Sequence, residues 1–175
     1  MKGQRFYFYC LFCLFYTSGG MVFAQATASA TGQIFAEIIS IFSASETAQM
    51  NFGRFAPGPQ GGEIILTPEN TISTLGSIYK GPGTHNAATF YVTGDVDAAY
   101  TITLPASPVI LSHVSSSRTM SVENWASTPA PGIGAGMLQN GFQIVSVGAT
   151  LKVGTLNDNP VGIYTGSYTI TFDFN

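Results

Sequence analysis

The last eight residues constrain this chain most. Tyr168, Ile170, Phe172 and Phe174 alternate with Thr169, Thr171, Asp173 and Asn175. Alternation of period two puts the large apolar side chains on one face of an extended strand and the polar ones on the other. A helix would scatter them around its circumference. The same period recurs upstream, where Phe90 and Val92 alternate with Tyr91 and Thr93, and Tyr100, Ile102 and Leu104 alternate with Thr101 and Thr103. Further strands are expected over residues 48–55, 63–67, 71–79, 109–111 and 120–125. Between them stand turn formers: Pro57-Gly58-Pro59 with Gly61-Gly62, Pro68-Glu69-Asn70, Gly81-Pro82-Gly83, Gly94-Asp95-Val96-Asp97 and Asn157-Asp158-Asn159-Pro160. Residues 128–136 read as a Pro/Gly loop. Short strands so punctuated predict an all-β antiparallel sandwich or barrel. No helix-length amphipathic pattern follows Phe42, so the crossovers of a parallel α/β sheet are missing.

Two segments depart from simple alternation. Within residues 142–153, Phe142 and Ile144 share one parity, and Val145, Val147, Ala149, Leu151 and Val153 share the other. A single flip predicts a β-bulge inside that strand. In residues 34–42, Ile34, Ile38, Ile41 and Phe42 fit helical spacing, but β-branched content and brevity favour a buried strand.

Residues 1–24 have the order of an export signal. Lys2 and Arg5 precede an apolar run from Phe6 to Tyr16, and Val22-Phe23-Ala24 offers a cut after Ala24. The expected organisation is then a cleaved signal over 1–24, an extended arm over 25–32 and a single β-sandwich over 33–175. The expected location is the periplasm in transit, then the cell surface or the medium. The apolar run is short for a membrane span and no later stretch is apolar enough, so no transmembrane anchor is expected. Phe12 immediately before Cys13 fits a lipoprotein cleavage box poorly. Cys10 and Cys13 leave with the signal, so packing and main-chain ladders must hold the mature chain without disulfides. That chain keeps four basic residues, Arg54, Lys80, Arg118 and Lys152, against nine acidic ones, a net charge of −5. Nucleic acid and anionic membranes are poor partners for isolated positive charges.

No constellation carries catalytic chemistry. His85 and His113 are the only histidines, and neither has a cysteine or a second histidine at ligand spacing. His113 stands near Ser115, Ser116 and Ser117, but no nucleophile elbow accompanies it. Asp95, Asp97, Asn157, Asp158 and Asn159 are oxygen donors that turn chemistry explains without a metal. Gly132-Ile133-Gly134-Ala135-Gly136 lacks the strand–helix unit of a dinucleotide loop. Trp125 and the tyrosines are read as packing residues with polar tips rather than as a sugar platform. No enzyme activity, cofactor or metal is expected.

Several stretches together resemble the secreted bacterial domain of unknown function 4402. They are Met50-Asn51-Phe52-Gly53-Arg54-Phe55-Ala56-Pro57-Gly58, Phe90-Tyr91-Val92-Thr93-Gly94, Ala99-Tyr100-Thr101-Ile102-Thr103-Leu104-Pro105, Val147-Gly148-Ala149-Thr150-Leu151-Lys152-Val153-Gly154, and the run from Gly162 to Phe172. That family looks like a relative of chaperone–usher pilins and spore-coat-U-like subunits. The resemblance implies an immunoglobulin-like sandwich. It also implies assembly by donor-strand exchange, in which a neighbour's N-terminal arm completes a subunit lacking one strand. The partners it implies are further copies, other pilus subunits and a periplasmic chaperone. On this reading the exchanged segment is drawn from Ala26, Ala28, Ala30, Ile34, Ala36 and Ile38, and Tyr168, Ile170, Phe172 and Phe174 form part of the receiving core. Alanines bury little area, so either the donor reaches Ile34, Ala36 and Ile38 or the sandwich is complete by itself. The expected function is therefore a secreted, pilin-like structural subunit. The alternative is a monomeric extracellular module that binds a glycan or a host surface.

Overall fold

The computed structural model describes residues 27–39 and 41–174. The signal expected over 1–24, Ala26 and Asn175 lie outside the described residues. The chain divides into two units, the first ending at Glu37 and the second spanning Ile38–Asn175. Residues 27–39 form no regular structure and their side chains are exposed. The strand expected over 34–42 is therefore not formed in the isolated chain. Residues 27–39 enter no ladder among the described residues, and an extended segment without a ladder has no main-chain hydrogen bonds to fix it.

Eleven strands are formed among the described residues: β1 (Ser43–Ala48), β2 (Phe55–Leu66), β3 (Ile72–Lys80), β4 (Ala88–Thr93), β5 (Ala99–Thr103), β6 (Val109–His113), β7 (Thr119–Thr128), β8 (Gly132–Met137), β9 (Phe142–Val153), β10 (Tyr164–Thr165) and β11 (Thr171–Phe174). There is no helix among them, and every ladder is antiparallel. A large sheet runs β1-β4-β9-β7-β6-β10, with the β2–β3 hairpin also attached to β9. A small sheet has the order β11-β5-β8.

Strand β9 organises the large sheet. β7 pairs along one edge, from Ser146 to Lys152. The other edge is shared: β4 pairs with Phe142 to Val147, and β2 takes over from Ala149 to Val153. The handover falls at Gly148. A Cβ there would lie 2.2 Å from the Leu66 carbonyl oxygen and 2.6 Å from the Thr67 carbonyl carbon, so only glycine lets β2 leave while β4 enters.

Two apolar clusters follow from that division. In one, Ala88, Val92, Val145 and Val147 of the large sheet meet Tyr100 and Ile102 of the small sheet, with Leu138 beside them. Phe90, Tyr168, Ile170 and Phe172 close its margin. In the other, Ile64, Ile78, Met120, Val122, Ala149, Leu151 and Val153 all come from the large sheet. No strand of the small sheet reaches this second cluster among the described residues. Apart from large-sheet side chains, it is covered by Met50 and Phe52, which lie between β1 and β2.

The alternation read in β4 and β5 holds. Val92, Tyr100 and Ile102 are buried, and Tyr91 is exposed. The face of Tyr168, Ile170 and Phe172 also holds, each being half-buried, but the regular strand begins only at Thr171 and Phe174 is half exposed. Tyr168 and Ile170 pack as an irregular segment because β5, their nearest partner, ends at Thr103, opposite Thr171.

Other expectations need correction. β9 has no bulge: Val145, Val147, Ala149, Leu151 and Val153 face inward without interruption, and Phe142 and Ile144 simply face solvent. Phe142 is accommodated there by stacking on Tyr91, with ring centroids 5.6 Å apart. The bulge lies in the partner strand. On β7, the steps from Glu123 to Ala126 oppose only those from Thr150 to Gly148, and Asn124 takes a left-handed φ of 52°. Met120 and Val122 point inward before it; Trp125 and Ser127 do so after it. The strand expected over 48–55 is instead β1, ending at Ala48, followed by an irregular stretch held by the Asn51–Asn86 bridge. Residues 58–61 do not end a strand but loop out of β2 opposite Ser77. Residues 132–136 of the segment read as loop belong to β8, where Tyr100 lies so close over Gly136 that a Cβ would meet its ring at 2.2 Å. Backbone hydrogen bonding to β5 outweighs a glycine-rich composition there.

Two expectations follow. Gly148→Ala should lose about 1–3 kcal/mol, the range for forcing a methyl into a filled site. Urea melts read this as a lower midpoint at unchanged slope, and an unchanged midpoint would show that β2 and β4 do not converge on Gly148. Tyr100 tests the core by pH. Its buried hydroxyl donates to the Gln143 Oε1 at 2.6 Å, and burial pushes its pKa from 10.0 up to about 12. A raised pKa favours the folded state fully below about 10, and that contribution drains away as pH rises towards about 12. The midpoint should fall over this window, and less steeply in Tyr100→Phe. Equal slopes in both proteins would exclude Tyr100 as the source.

Candidate functional site: an open groove on the uncovered cluster

Where the second cluster lacks a covering strand, a groove of about 890 Å³ opens. Its floor is the inner face of β7 and β9, through Met120, Val122, Trp125 and Leu151. One wall is the irregular stretch from Gln49 to Arg54 with the start of β2; the other is the segment from Leu156 to Tyr168. The groove thus reaches residues of the core itself: Val122 and Leu151 are only 2% and 1% exposed. Its volume lies in the range of ligand sites, and its floor is apolar.

The second wall is held by side-chain staples. Asn159 is buried; its Oδ1 accepts from the Gly154 N–H at 2.6 Å, and its Nδ2 donates to the Thr119 carbonyl at 2.8 Å. Asp158 Oδ2 accepts from the Thr155 hydroxyl and N–H, which holds its carboxyl below the usual carboxylate range. His113 Nδ1 accepts from the Ser115 N–H, which leaves Nε2 to donate to the Val161 carbonyl at 3.2 Å. The Tyr164 ring lies edge-on to that imidazole at 4.9 Å, and the Tyr164 hydroxyl donates to the Pro160 carbonyl. His85 reaches the Asn70 carbonyl. Both histidines and the Asn157–Asn159 turn are thus engaged in holding backbone.

Trp125 is the polar exception on the floor. Its Nε1 is buried and has no hydrogen-bond partner among the described residues. Its ring lies 4.8 Å from the ring of Tyr168. The Tyr168 hydroxyl points to Glu46 Oε1 at 3.4 Å, and burial, reinforced by that carboxylate, raises its pKa well above 10.0. Charged groups gather elsewhere. On the sheet, Lys152 pairs with Glu63 and, at 3.1 Å, with Glu123; these bonds raise its pKa. No group of three or more histidine, cysteine, aspartate or glutamate side chains is placed to hold a metal among the described residues.

Of the segment expected to be exchanged, Ala28, Ala30, Ile34, Ala36 and Ile38 are all exposed. Ile34 and Ile38 are 99% and 100% exposed. Of the expected receiving face, Tyr168 lines the groove, whereas Ile170 and Phe172 pack on the sandwiched cluster. Sequence reasoning missed Trp125, Met50, Phe52 and Asn159 as parts of this site. A signal for Trp125 existed: the change of parity between Val122 and Trp125 marks the β7 bulge that turns the indole inward.

The fold and groove define an all-β, antiparallel, two-sheet domain with one half of its core left to loops. The chain belongs to the DUF4402 family, a domain of unknown function, whose family model matches residues 42–174. No curated protein matches it. No helix of the described residues is long and apolar enough to cross a membrane.

Replacing Asn159 with alanine strands the Gly154 N–H and the Thr119 carbonyl in a buried site, and is expected to cost about 1–3 kcal/mol. A thermal melt indistinguishable from the parent would show that the wall does not depend on this staple.

Proposed function

We propose that the protein is an exported structural subunit of the cell surface that assembles by β-strand exchange, with the immunoglobulin-like, pilin-like architecture its sequence resembles. One observation carries the reading: an apolar groove open to the core coexists with an apolar segment that has nothing to cover it. Ile34, Phe35, Ile38, Ile39 and Ile41 are each at least 76% exposed. Burying an isoleucine side chain is worth about 1.5–3 kcal/mol, so transferring Ile34 and Ile38 into such a groove is strongly driven. An inserted strand also satisfies its own main chain, the recognition mode of strand addition.

The occupant is the segment of a second copy. The chain enters β1 at Ser43, and only residues from Glu46 onward line the groove. To fill its own groove the segment would have to double back along β1. Ile38-Ile39-Ser40-Ile41-Phe42 contains no glycine, proline, asparagine or aspartate with which to make that reversal. A head-to-tail contact of this kind builds a fibre wherever its rotation does not close into a ring.

The rival reading is a monomeric binding module, for which the exposed Tyr91–Phe142 stack is the best surface feature. Light scattering after size exclusion separates the two. Strand exchange predicts a ladder of multimers resistant to SDS and lost on deleting residues 25–38. A cooperatively folding monomer, unchanged by the deletion, would contradict it and leave the binding module.

A further inference from the structure

The side of the large sheet away from the groove carries aromatic side chains that the core does not use. We propose that the outer face of β4 and β9 is a binding site for an uncharged oligosaccharide, with Tyr91 and Phe142 as its stacking platform and the neighbouring serine and threonine hydroxyls as its hydrogen-bonding rim. Strand exchange uses the inner face, so this inference stands whether or not the subunits assemble.

The strand register brings these residues together. Directly opposed residues of antiparallel strands project to the same side of a sheet. Ser45, Tyr91 and Ile144 therefore form one row across β1, β4 and β9. Ser43, Thr93 and Phe142 form the next. On the other side of Tyr91, Thr89 opposes Ser146, and the Thr89 hydroxyl lies 2.8 Å from that of Thr47. Val92 and Val145 alternate with these residues and are buried, which puts the three rows on the outer side.

The solvated face of an antiparallel sheet is ordinarily polar. Tyr91, Phe142 and Ile144 break that rule, being 39%, 43% and 58% exposed. The sandwiched core does not account for them, because they point away from it. The two aromatic rings stack, with 29° between their planes. Mutual contact holds each ring in place, and tyrosine offers a large, rigid contact area at little cost in conformational entropy. A small apolar centre rimmed by polar side chains is the form of a recognition site.

The surroundings set the class of ligand. No charged side chain stands in the three rows. Glu46, between Ser45 and Thr47 in the chain, turns to the other face, where its carboxylate meets the Tyr168 hydroxyl at 3.4 Å. Nucleic acid or an anionic membrane would need basic groups here. A second copy would need about 800 Å² of contact per partner, which three partly exposed side chains do not supply. A pyranose ring fits the chemistry. It is apolar on the face of its C–H bonds and hydroxylated around its edge. The C–H face can lie on an aromatic ring, while each serine or threonine hydroxyl beside it can both donate and accept. The Ser43 and Thr93 hydroxyls bond to each other at 2.8 Å, which fixes them beside Phe142 and leaves lone pairs open.

The test titrates the full chain with cellohexaose, laminarihexaose and maltohexaose, followed by calorimetry and by the aromatic proton resonances. At least one of these neutral sugars should bind with a Kd of about 1 mM or tighter. The Tyr91 and Phe142 ring resonances should shift on binding. Affinity should change by less than about twofold between about 0.1 and 1 M salt, because no charge is screened. Removing both rings with Tyr91→Ala and Phe142→Ala should weaken binding at least about tenfold, as for an interface hot spot. Tyr91→Phe keeps the platform and should bind within about threefold of the parent. Tyr79→Ala removes an aromatic ring that is 66% exposed on β3, and should leave affinity unchanged. Absence of binding by all three sugars would overturn the proposal. So would binding that survives loss of both rings, or resonance shifts confined to other tyrosines. A dimer abolished by Tyr91→Ala would give the face to a second copy and overturn it likewise. None of these outcomes bears on strand exchange.

Discussion

The structure depends on one shared edge. β9 gives half of that edge to β4 and half to β2, with the change of partner at Gly148, where the Leu66 carbonyl leaves no room for a side chain. Everything else about the core follows. The half of the sheet that carries β4 receives the small β11-β5-β8 sheet on its inner face. The half that carries β2, β3 and β6 receives no strand among the described residues, only Met50 and Phe52 from an irregular stretch. A sheet face left to loops keeps its apolar floor close to water, and the hydrophobic effect makes that floor attractive to any apolar segment that fits.

Several polar groups around the floor hold its walls. Asn159, Asp158 and His113 each accept from a backbone N–H, and Tyr164 locks the same segment from the other side. Preorganised walls lower the ordering cost of binding, since only the incoming segment must lose its freedom. The indole of Trp125 differs from these residues: its buried Nε1 has no hydrogen-bond partner among the described residues.

The all-β class was legible because alternation and Gly/Pro punctuation report directly on strand faces. Val92, Tyr100, Ile102, Val145 and Val147 fell on the inner side as their parity requires. Faults in alternation were harder to place, since a bulge is a property of a pair. The flip between Ile144 and Val145 looked like an extra residue, but Phe142 and Ile144 lie on an outer face, with Phe142 stacked on Tyr91. The real insertion, at Asn124, left only two inward residues on each side as a trace. β8 was hidden by glycines that are required because Tyr100 lies over Gly136. The groove was not legible at all. It arises from which strands fail to meet, and no local pattern reports a missing neighbour. The segment proposed for exchange was picked out by Ile34 and Ile38, because large apolar residues after an alanine-rich stretch have few uses in a lone domain.

The central claim is that the uncovered half of the core is completed by another copy's segment. Amide hydrogen exchange on assembled and unassembled protein tests it most directly, because ladder formation slows exchange residue by residue. The account predicts that the amides of residues 34–38 exchange at once in the unassembled chain and are protected in the assembly. Protection should rise alongside in β7 around Trp125. Assembly in which residues 34–38 remain freely exchanging, with protection appearing elsewhere on the surface, would contradict it.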